Sequence, residues 1–114
     1  NLIDYAKEEK FRKLIILKGK NSSQYASNLI KAIPIELKSD IIEAHYINNR
    51  RWDLLTKKNL RILLPEINFT EAMNVFIDIY ADIYSSNVSN IEYIDLRIPK
   101  KMIIRYQNEN KSSQ

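Results

Sequence analysis

The spacing of apolar residues changes along the chain, and each change of period predicts a new element of secondary structure. Leu2–Tyr5 is typical of a short strand, and the apolar run within Lys13–Leu17 predicts a second, buried strand. From Asn21 or Ser22 onwards, apolar residues recur at helical spacing until Pro34 ends the pattern. Because the fixed φ of proline suits the first position of a helix, a short helical turn is predicted over Pro34–Lys38.

The middle of the chain alternates between apolar and polar residues in the way that strands do. Three strands are predicted, over Ile41–Ile47, Arg50–Thr56 and Leu60–Pro65. The last two are joined by a three-residue loop, in which Asn59 stands where a left-handed residue is needed. With a period of two, one set of side chains in this hairpin shares a face and forms the predicted core side: Trp52, Leu54, Leu60, Ile62 and Leu64.

The last third combines one long helix with a second hairpin. The sequence Asn68-Phe69-Thr70-Glu71 resembles a capping box and precedes an apolar stripe that lies opposite a polar one. The predicted apolar stripe is Phe69, Met73, Phe76, Ile79 or Tyr80, and Ile83, and the polar stripe is Glu71, Asn74, Asp78 and Asp82. Ile91–Ile98 and Met102–Gln107 are predicted to be strands joined by a turn at Pro99-Lys100-Lys101.

Together these elements predict one α+β domain over residues 1–107, with a mostly antiparallel, mixed β-sheet and two main helices on one face. Residues 108–114 contain no apolar side chain, so a disordered tail is predicted there. Gly19 is the only glycine and follows the second predicted strand. We expect it to occupy a backbone position at which a side chain would clash.

Composition limits the chemistry that this domain can perform. The 114 residues include no cysteine and one histidine, His45, which removes thiol catalysis, thiolate metal sites and most triad chemistry. Isoleucine, lysine and asparagine supply 43 of the 114 residues, a bias typical of an AT-rich genome, so single residues of these types carry little functional information. No apolar run approaches the ~20 residues that span a bilayer. We therefore expect a soluble domain that is part of a longer protein.

The net charge of +4 arises in the N-terminal half, where a basic cluster over Lys7–Lys20 flanks Tyr5 and Phe11. A small basic α+β domain that binds nucleic acid is therefore an alternative function. Glu8 and Glu9 interrupt the cluster, whereas binding along phosphates needs a continuous basic groove. Because of this interruption, nucleic-acid binding stays an alternative rather than the leading function.

Side chains suited to catalysis are few. His45 has no obvious partner in its predicted strand, and we interpret it as a structural or surface residue. Asp78 and Asp82 lie one helical turn apart, but a hard cation needs about six oxygen ligands and the sequence nearby does not supply them. We therefore predict that the domain is not an enzyme and has no catalytic residue, no metal and no cofactor.

Two segments combine unlike residues at fixed spacing: Arg50-Arg51-Trp52-Asp53-Leu54 with its following Leu64-Pro65-Glu66, and Ile94-Asp95-Leu96-Arg97-Ile98-Pro99. In each, an arginine and an aspartate two positions apart share one face of a strand. Ion pairing on a solvated sheet face accounts for this spacing, although exposed pairs contribute only about 0–1 kcal/mol.

Taken in this order and at this spacing, the two segments resemble the periplasmic β domain of the FtsQ/DivIB family of bacterial cell-division proteins. The family pattern has an Arg-Trp strand, a hairpin that ends in Asn-Gly, a Leu-Pro-Glu that enters a helix, and a closing Asp-Leu-Arg strand pair. Asn59 stands here in place of the turn glycine. The resemblance covers Leu2–Tyr106.

The resemblance implies a non-enzymatic scaffold of the divisome, on the periplasmic side of the bacterial inner membrane at the division septum. Membrane attachment would come only through an N-terminal transmembrane helix of the full-length protein. The implied partners are the bitopic division proteins FtsB and FtsL, bound by addition of a strand to the last strand of the domain, which would help to regulate septal peptidoglycan synthesis. The positions that match the implied partner-binding residues are Arg50, Arg97, Ile98, Lys101, Met102, Ile104 and Tyr106.

Two departures from the best-known members concern the second hairpin. Its turn is Pro99-Lys100-Lys101 rather than rich in serine and glycine, and Ile98 is aliphatic where some members have tyrosine. The lysines lead to the hypothesis that the partner segment is acidic.

Overall fold

The sheet follows the order of the sequence. The computed structural model describes residues 10–11, 14–85 and 90–107. Within them lie six strands and three helices, with the following bounds: β1 Ile16–Lys18, α1 Ser22–Ala32, α2 Ile35–Lys38, β2 Ile41–Ile47, β3 Arg51–Thr56, β4 Arg61–Leu63, α3 Phe69–Ser85, β5 Ile91–Asp95 and β6 Ile103–Tyr106. The strand order is β1-β2-β3-β4-β5-β6.

Strand direction depends on what connects each pair. The hairpin pairs β2–β3, β3–β4 and β5–β6 are antiparallel, whereas β1–β2 and β4–β5 are parallel. Parallel neighbours need a crossover, and here α1 with α2 and then α3 provide the two crossovers. The predicted α+β class with a mostly antiparallel, mixed sheet is confirmed.

One face of the sheet carries a continuous apolar row with one residue from each strand. Strand register aligns these residues across the sheet: Leu17, Ala44, Leu54, Ile62, Ile94 and Ile104. Helices α1 and α3 cover this face, because their buried side chains belong to the same core, including Leu29, Ile30, Met73 and Phe76. Burial of apolar area on this single face is the main source of stability, at about 25 cal/mol per Å².

Helix α3 has the predicted amphipathic pattern. Met73, Phe76 and Tyr80 are buried, and the members of the polar stripe are exposed. The helix starts at Phe69, so Asn68 is the residue directly before it, as predicted for the cap. Asn68 has a left-handed φ of 62°. Its backbone carbonyl accepts a hydrogen bond from the N–H of Ala72 at 3.2 Å. The side-chain bonds of the capping box stay a prediction.

The two backbone positions that the sequence indicated have the expected conformations. Asn59 has φ = 64° and closes the β3–β4 hairpin, where the N–H of Thr56 bonds to the carbonyl of Leu60 at 2.9 Å. Gly19 has φ = 104°, and a Cβ at this position would overlap the backbone carbonyl of Tyr46. Both predictions are confirmed.

The prediction for Lys13–Leu17 is wrong in its start and in its burial. Strand β1 begins at Ile16, and the N–H of Ile15 bonds to the carbonyl of Phe11 at 3.1 Å, which is the spacing of a helical turn. This turn buries Phe11 and Ile15, whereas Leu14 is 73% exposed and Ile16 is 53% exposed. The segment is therefore not a buried strand.

Other strands are shorter than predicted. Strand β4 ends at Leu63 and β5 at Asp95, although the ladder continues through the Leu96 N–H, which bonds to the carbonyl of Leu63 at 2.9 Å. The predicted strand Leu2–Tyr5 and the predicted disordered tail 108–114 lie outside the described residues.

Candidate functional site

Strand β6 forms one border of the sheet. Ile94 pairs with Ile104 and Asp95 with Ile103 on its inner side, and no described strand pairs with its outer side. Such an unpaired border presents backbone N–H and C=O groups that another chain can complete. Three of its side chains are exposed: Ile103 is 42% exposed, Tyr106 is 53% exposed, and Arg105, which lies 4.0 Å from Glu92, is also exposed.

A groove lies beside the start of β6, between the β5–β6 turn and the N-terminal half of α3. It has a volume of about 550 Å³ and an apolar lining that includes Pro65, Ile67, Val75, Leu96, Ile98 and Met102. The turn is closed by a hydrogen bond from the Lys101 N–H to the carbonyl of Ile98 at 3.1 Å, with Lys100 left-handed at φ = 62°. Lys100 and Lys101 are exposed along the rim of the groove.

The guanidinium of Arg97 is held in a fixed orientation by Asp95. Its Nε donates to Oδ1 and its Nη2 to Oδ2 of Asp95, both at 2.9 Å, and the backbone N–H of Arg97 donates to the same Oδ1 at 2.9 Å. Bonding to Arg97 holds the pKa of the Asp95 carboxyl below its usual value and raises the pKa of Arg97. Because Asp95 is buried and Arg97 is exposed, the aspartate fixes an arginine that is accessible from solvent.

A second arginine–aspartate pair lies next to the first on the face of the sheet away from the helices. The Nε of Arg51 is 3.5 Å from Oδ1 of Asp53. Asp53 and Asp95 both align with Leu63 in the register of the sheet, so the two pairs are neighbours. The Arg51 Nε and Asp53 Oδ1 atoms are buried without hydrogen-bond geometry between them, which makes this pair the looser of the two.

Arg50 belongs to the β2–β3 turn rather than to a strand. Its Nη2 is 3.6 Å from Oε2 of Glu66, and both side chains are more than half exposed. An exposed pair at this distance contributes little to stability, so the guanidinium can exchange Glu66 for another carboxylate at small cost.

The structure brings some of the residues predicted to bind a partner together and separates others. Ile98, Lys101 and Met102 line the groove, Ile104 is half-buried in β6 with its side chain against the core, and Tyr106 is exposed in β6. Arg97 lies with Asp95 on the face of the sheet away from the helices. Arg50 lies in the β2–β3 turn and pairs with Glu66, which follows β4.

Sequence reasoning missed the part of the groove that belongs to α3 and to the segment before it. Val75 lies outside the predicted apolar stripe and is 54% exposed, and Ile67 is 72% exposed. A signal was present in the spacing, because the apolar Ala72 and Val75 lie three positions apart along the helix.

The single histidine pairs with a neighbouring glutamate on β2. Its Nε2 lies 2.7 Å from Oε1 of Glu43, and Nζ of Lys18 lies 3.3 Å from the same oxygen. These contacts, with His45 as the larger cause, lower the pKa of Glu43. Within residues 10–11, 14–85 and 90–107, no three His, Asp or Glu side chains come together to hold a metal ion.

Nucleic-acid binding by the basic cluster near the N-terminus stays a prediction. Of its lysines, Lys18 is paired with Glu43, and Lys7 and Lys13 lie outside the described residues.

None of the helices in the described part of the chain has the length and hydrophobicity that a bilayer crossing demands.

The sequence profile of the family described as "Cell division protein FtsQ/DivIB, C-terminal" matches residues 2–97 of this chain. The chain belongs to this family. FtsQ/DivIB membership places it among proteins of cell division, and the matched range ends at Arg97, so it includes both arginine–aspartate pairs and five of the six strands.

A protein of Bartonella bacilliformis named "Cell division protein FtsQ" is similar to the chain, at 27% identity over 95 residues. The match covers 80% of this chain and 30% of that relative. The chain therefore spans less than a third of the length of this FtsQ protein.

Proposed function

We propose that this domain is a non-enzymatic scaffold of the divisome that binds bitopic division proteins of the FtsB and FtsL type by adding a partner strand to β6. It would act on the periplasmic side of the inner membrane at the division septum, within a longer protein that carries the membrane anchor, and would help to regulate septal peptidoglycan synthesis. The observation that carries the proposal is the unpaired outer side of β6 in the described sheet, in a chain of the FtsQ/DivIB family.

Strand addition fits the chemistry of this border. Main-chain hydrogen bonds to an added strand supply affinity without depending on sequence, and alternate side chains supply selection. Ile103 and Tyr106 are exposed on β6, and an added strand would bury the apolar surface that they leave in water, at about 25 cal/mol per Å².

Charge adds selectivity at the end of the sheet where the β5–β6 turn lies. Lys100 and Lys101 are exposed in the turn, and the guanidinium of Arg97 is fixed by Asp95. Arg50 pairs with the exposed Glu66 in the described part of the chain, and it is the arginine that we assign to a carboxylate of the bound protein. An acidic partner segment is attracted to this end, which raises the association rate more than the final affinity.

The direct test is titration of the chain with a peptide from the membrane-proximal end of the coiled coil of an FtsB-like protein, followed by calorimetry. The wild-type domain should bind. Tyr106→Ala should weaken binding about tenfold or more, because exposed aromatic anchors are typical hot spots. Ile104→Pro should abolish it, since proline removes a backbone N–H from β6 and distorts the strand.

A matched control separates loss of the partner contact from loss of the fold. Tyr25→Ala removes another exposed tyrosine, 43% accessible on α1, and should leave affinity unchanged. Circular dichroism should show that Tyr106→Ala and Tyr25→Ala are folded to the same extent. Absence of binding by the folded wild-type domain would sink the proposal.

The hypothesis of an acidic partner has its own test. Neutralising the turn with Lys100→Gln and Lys101→Gln should weaken binding at low ionic strength and flatten its salt dependence. The control is Lys57→Gln with Lys58→Gln, a second lysine pair in the β3–β4 loop at the other end of the strands. If both double variants show the same salt dependence as wild type, the hypothesis is wrong.

A further inference from the structure

Three aromatic rings stack between α1 and the β2–β3 hairpin. The ring centroids of Tyr25 and Tyr46 are 5.4 Å apart, and those of Tyr46 and Trp52 are 4.7 Å apart. Tyr46 and Trp52 also align in the register of β2 and β3, so their spacing is set by the sheet. Trp52 is buried, Tyr46 is half-buried and Tyr25 is 43% exposed. The stack therefore runs from the core to the surface and holds its outermost ring in place.

Tyr25 is the part of the stack that is open to a ligand. Helix α1 faces the core with Ala26, Leu29 and Ile30, all of which are fully buried. Tyr25 lies beside this apolar stripe and stacks on Tyr46. A tyrosine held in one orientation offers a large contact surface at a small cost in conformational entropy.

Two asparagine side chains lie beside the stack, and backbone contacts explain why they meet. Gly19 packs against the backbone of Tyr46, which brings the β1–α1 loop next to β2. Asn21 in that loop reaches the β2–β3 turn, where its Nδ2 donates to Oδ1 of Asn49 at 3.2 Å. The carbonyl of Asn21 accepts a hydrogen bond from the N–H of Tyr25 at 3.3 Å. The amide pair and the exposed ring therefore share one corner of the domain.

The amide pair keeps hydrogen-bonding capacity for a ligand. An asparagine side chain has one oxygen acceptor and two N–H donors, and the bond between Asn21 and Asn49 uses one donor and one lone pair. Asn21 directly precedes α1, yet its side chain makes no capping bond to the helix. The Oδ1 of Asn21 and the Nδ2 of Asn49 lie outside the bond between them, as an acceptor and a donor on an exposed surface.

The chemistry of this corner favours a neutral saccharide. One face of a pyranose ring carries C–H groups, which are attracted to the negative face of an aromatic ring, and its hydroxyls both donate and accept hydrogen bonds. An aromatic ring beside two amides matches both properties. A nucleotide also stacks on tyrosine, but its phosphates need several basic residues. The β1–α1 loop supplies Lys20, and Arg50 in the β2–β3 turn is paired with Glu66.

From the ring stack and the adjoining amides, we infer that Tyr25, Asn21 and Asn49 form a binding site for a neutral oligosaccharide. One sugar ring stacks on Tyr25, and its hydroxyl or acetamido groups bond to the two asparagines. The site lies on α1, which packs against β1, at the opposite border of the described sheet from β6. The inference therefore goes beyond the proposed strand addition and does not depend on it.

An NMR titration with chitotetraose, the β-1,4-linked tetramer of N-acetylglucosamine, tests the site. Saturable shifts at millimolar sugar are expected for the Tyr25 ring and for the side-chain amides of Asn21 and Asn49. Tyr25→Ala should weaken binding about tenfold, because it removes the stacking surface. Tyr25→Phe keeps the ring and should retain most of the affinity.

Glycine substitutions test the amides separately. Asn21 and Asn49 have left-handed φ values of 65° and 57°, which glycine adopts readily. Asn21→Gly and Asn49→Gly therefore remove the amide groups and leave the backbone unstrained. Each should weaken sugar binding about fivefold, the effect of losing one hydrogen bond. Asn59→Gly, the same change at a left-handed position in the β3–β4 loop, should leave sugar binding unchanged.

Tyr106→Ala separates this inference from the proposed function. It removes an exposed tyrosine of β6 and should weaken binding of the FtsB-type peptide but not of the sugar, whereas Tyr25→Ala should do the reverse. Absence of saturable sugar binding by the folded wild-type domain overturns the saccharide site and leaves strand addition intact. Sugar binding that Tyr25→Ala, Asn21→Gly and Asn49→Gly all leave unchanged also overturns the site, because the sugar then lies elsewhere.

Discussion

Gly19 shows how one backbone position can be required by a neighbouring strand. It has φ = 104° and lies against the backbone of Tyr46 in β2, where a Cβ would overlap the carbonyl. We expect Gly19→Ala to lower the free energy of unfolding by more than about 2 kcal/mol, because a disfavoured φ and a backbone clash add together. Urea denaturation measures this.

Asn59→Gly is the matched control for the glycine position. Asn59 already has φ = 64° in the β3–β4 loop, so glycine there should change stability by less than about 1 kcal/mol. Equal stability of Gly19→Ala and wild type would contradict the geometry at β1.

The bond between Asp95 and Arg97 predicts a pH dependence. The pKa of Asp95 is lowered in the folded state, so the stabilisation is present above its unfolded pKa of about 3.9 and is lost as the pH falls through the lower folded value. Asp95→Asn should cost about 1 kcal/mol at pH 7, a value reduced by the solvent exposure of Arg97. The difference from wild type should shrink between about pH 5 and pH 2 in urea titrations.

Glu92→Gln serves as the control for this pair. The Glu92 carboxylate is half-exposed, and its nearest contact with Arg105 is 4.0 Å. Its removal should therefore have no measurable effect on stability. A pH-independent cost of Asp95→Asn would mean that the ionised pair is not the cause.

At the scale of elements, α3 carries apolar residues in the core and apolar residues outside it. Phe76 is fully buried, and Phe76→Ala should cost about 3–5 kcal/mol of stability. Its neighbour Val75 is half-exposed, and Val75→Ala should change stability by less than about 0.5 kcal/mol. Thermal or urea unfolding of both variants checks the division, and a large cost of Val75→Ala would assign that residue to the core.

Most elements could be predicted from the sequence because their periodicity is local. The stripe of α3, the alternation in Arg51–Thr56 and the left-handed position at Asn59 each follow from a few adjacent residues. An apolar run without polar interruptions carries no period, so Leu14–Leu17 suggests a strand, whereas the bond between Ile15 and Phe11 makes its start part of a helical turn.

The candidate site was less predictable because it depends on packing between distant parts of the chain. Arg97, Ile98 and Tyr106 were named from the order of motifs, and the structure shows where they lie. The groove depends on how the β5–β6 turn packs beside α3, which brings Val75 close to Ile98 although they are far apart in the sequence. Periodicity within α3 shows that Val75 is apolar and lies outside the predicted core stripe. Only the tertiary arrangement places it beside the same groove as Ile98.

At the scale of the whole molecule, helices cover one face of the sheet and charged pairs occupy the other. The described sheet has two borders, β1 and β6, and the turn beside β6 carries the lysines and the groove. The proposed strand addition uses the border at β6.

Amide hydrogen exchange at β6, with and without the FtsB-type peptide, tests this account most directly. If a partner strand adds to β6, the slowing of exchange should be concentrated in Ile103–Tyr106, and it should disappear in the Ile104→Pro variant. The central strand β3, already paired on both sides, should exchange at the same rate with and without peptide. Saturating peptide that leaves the exchange of Ile103–Tyr106 unchanged would contradict strand addition.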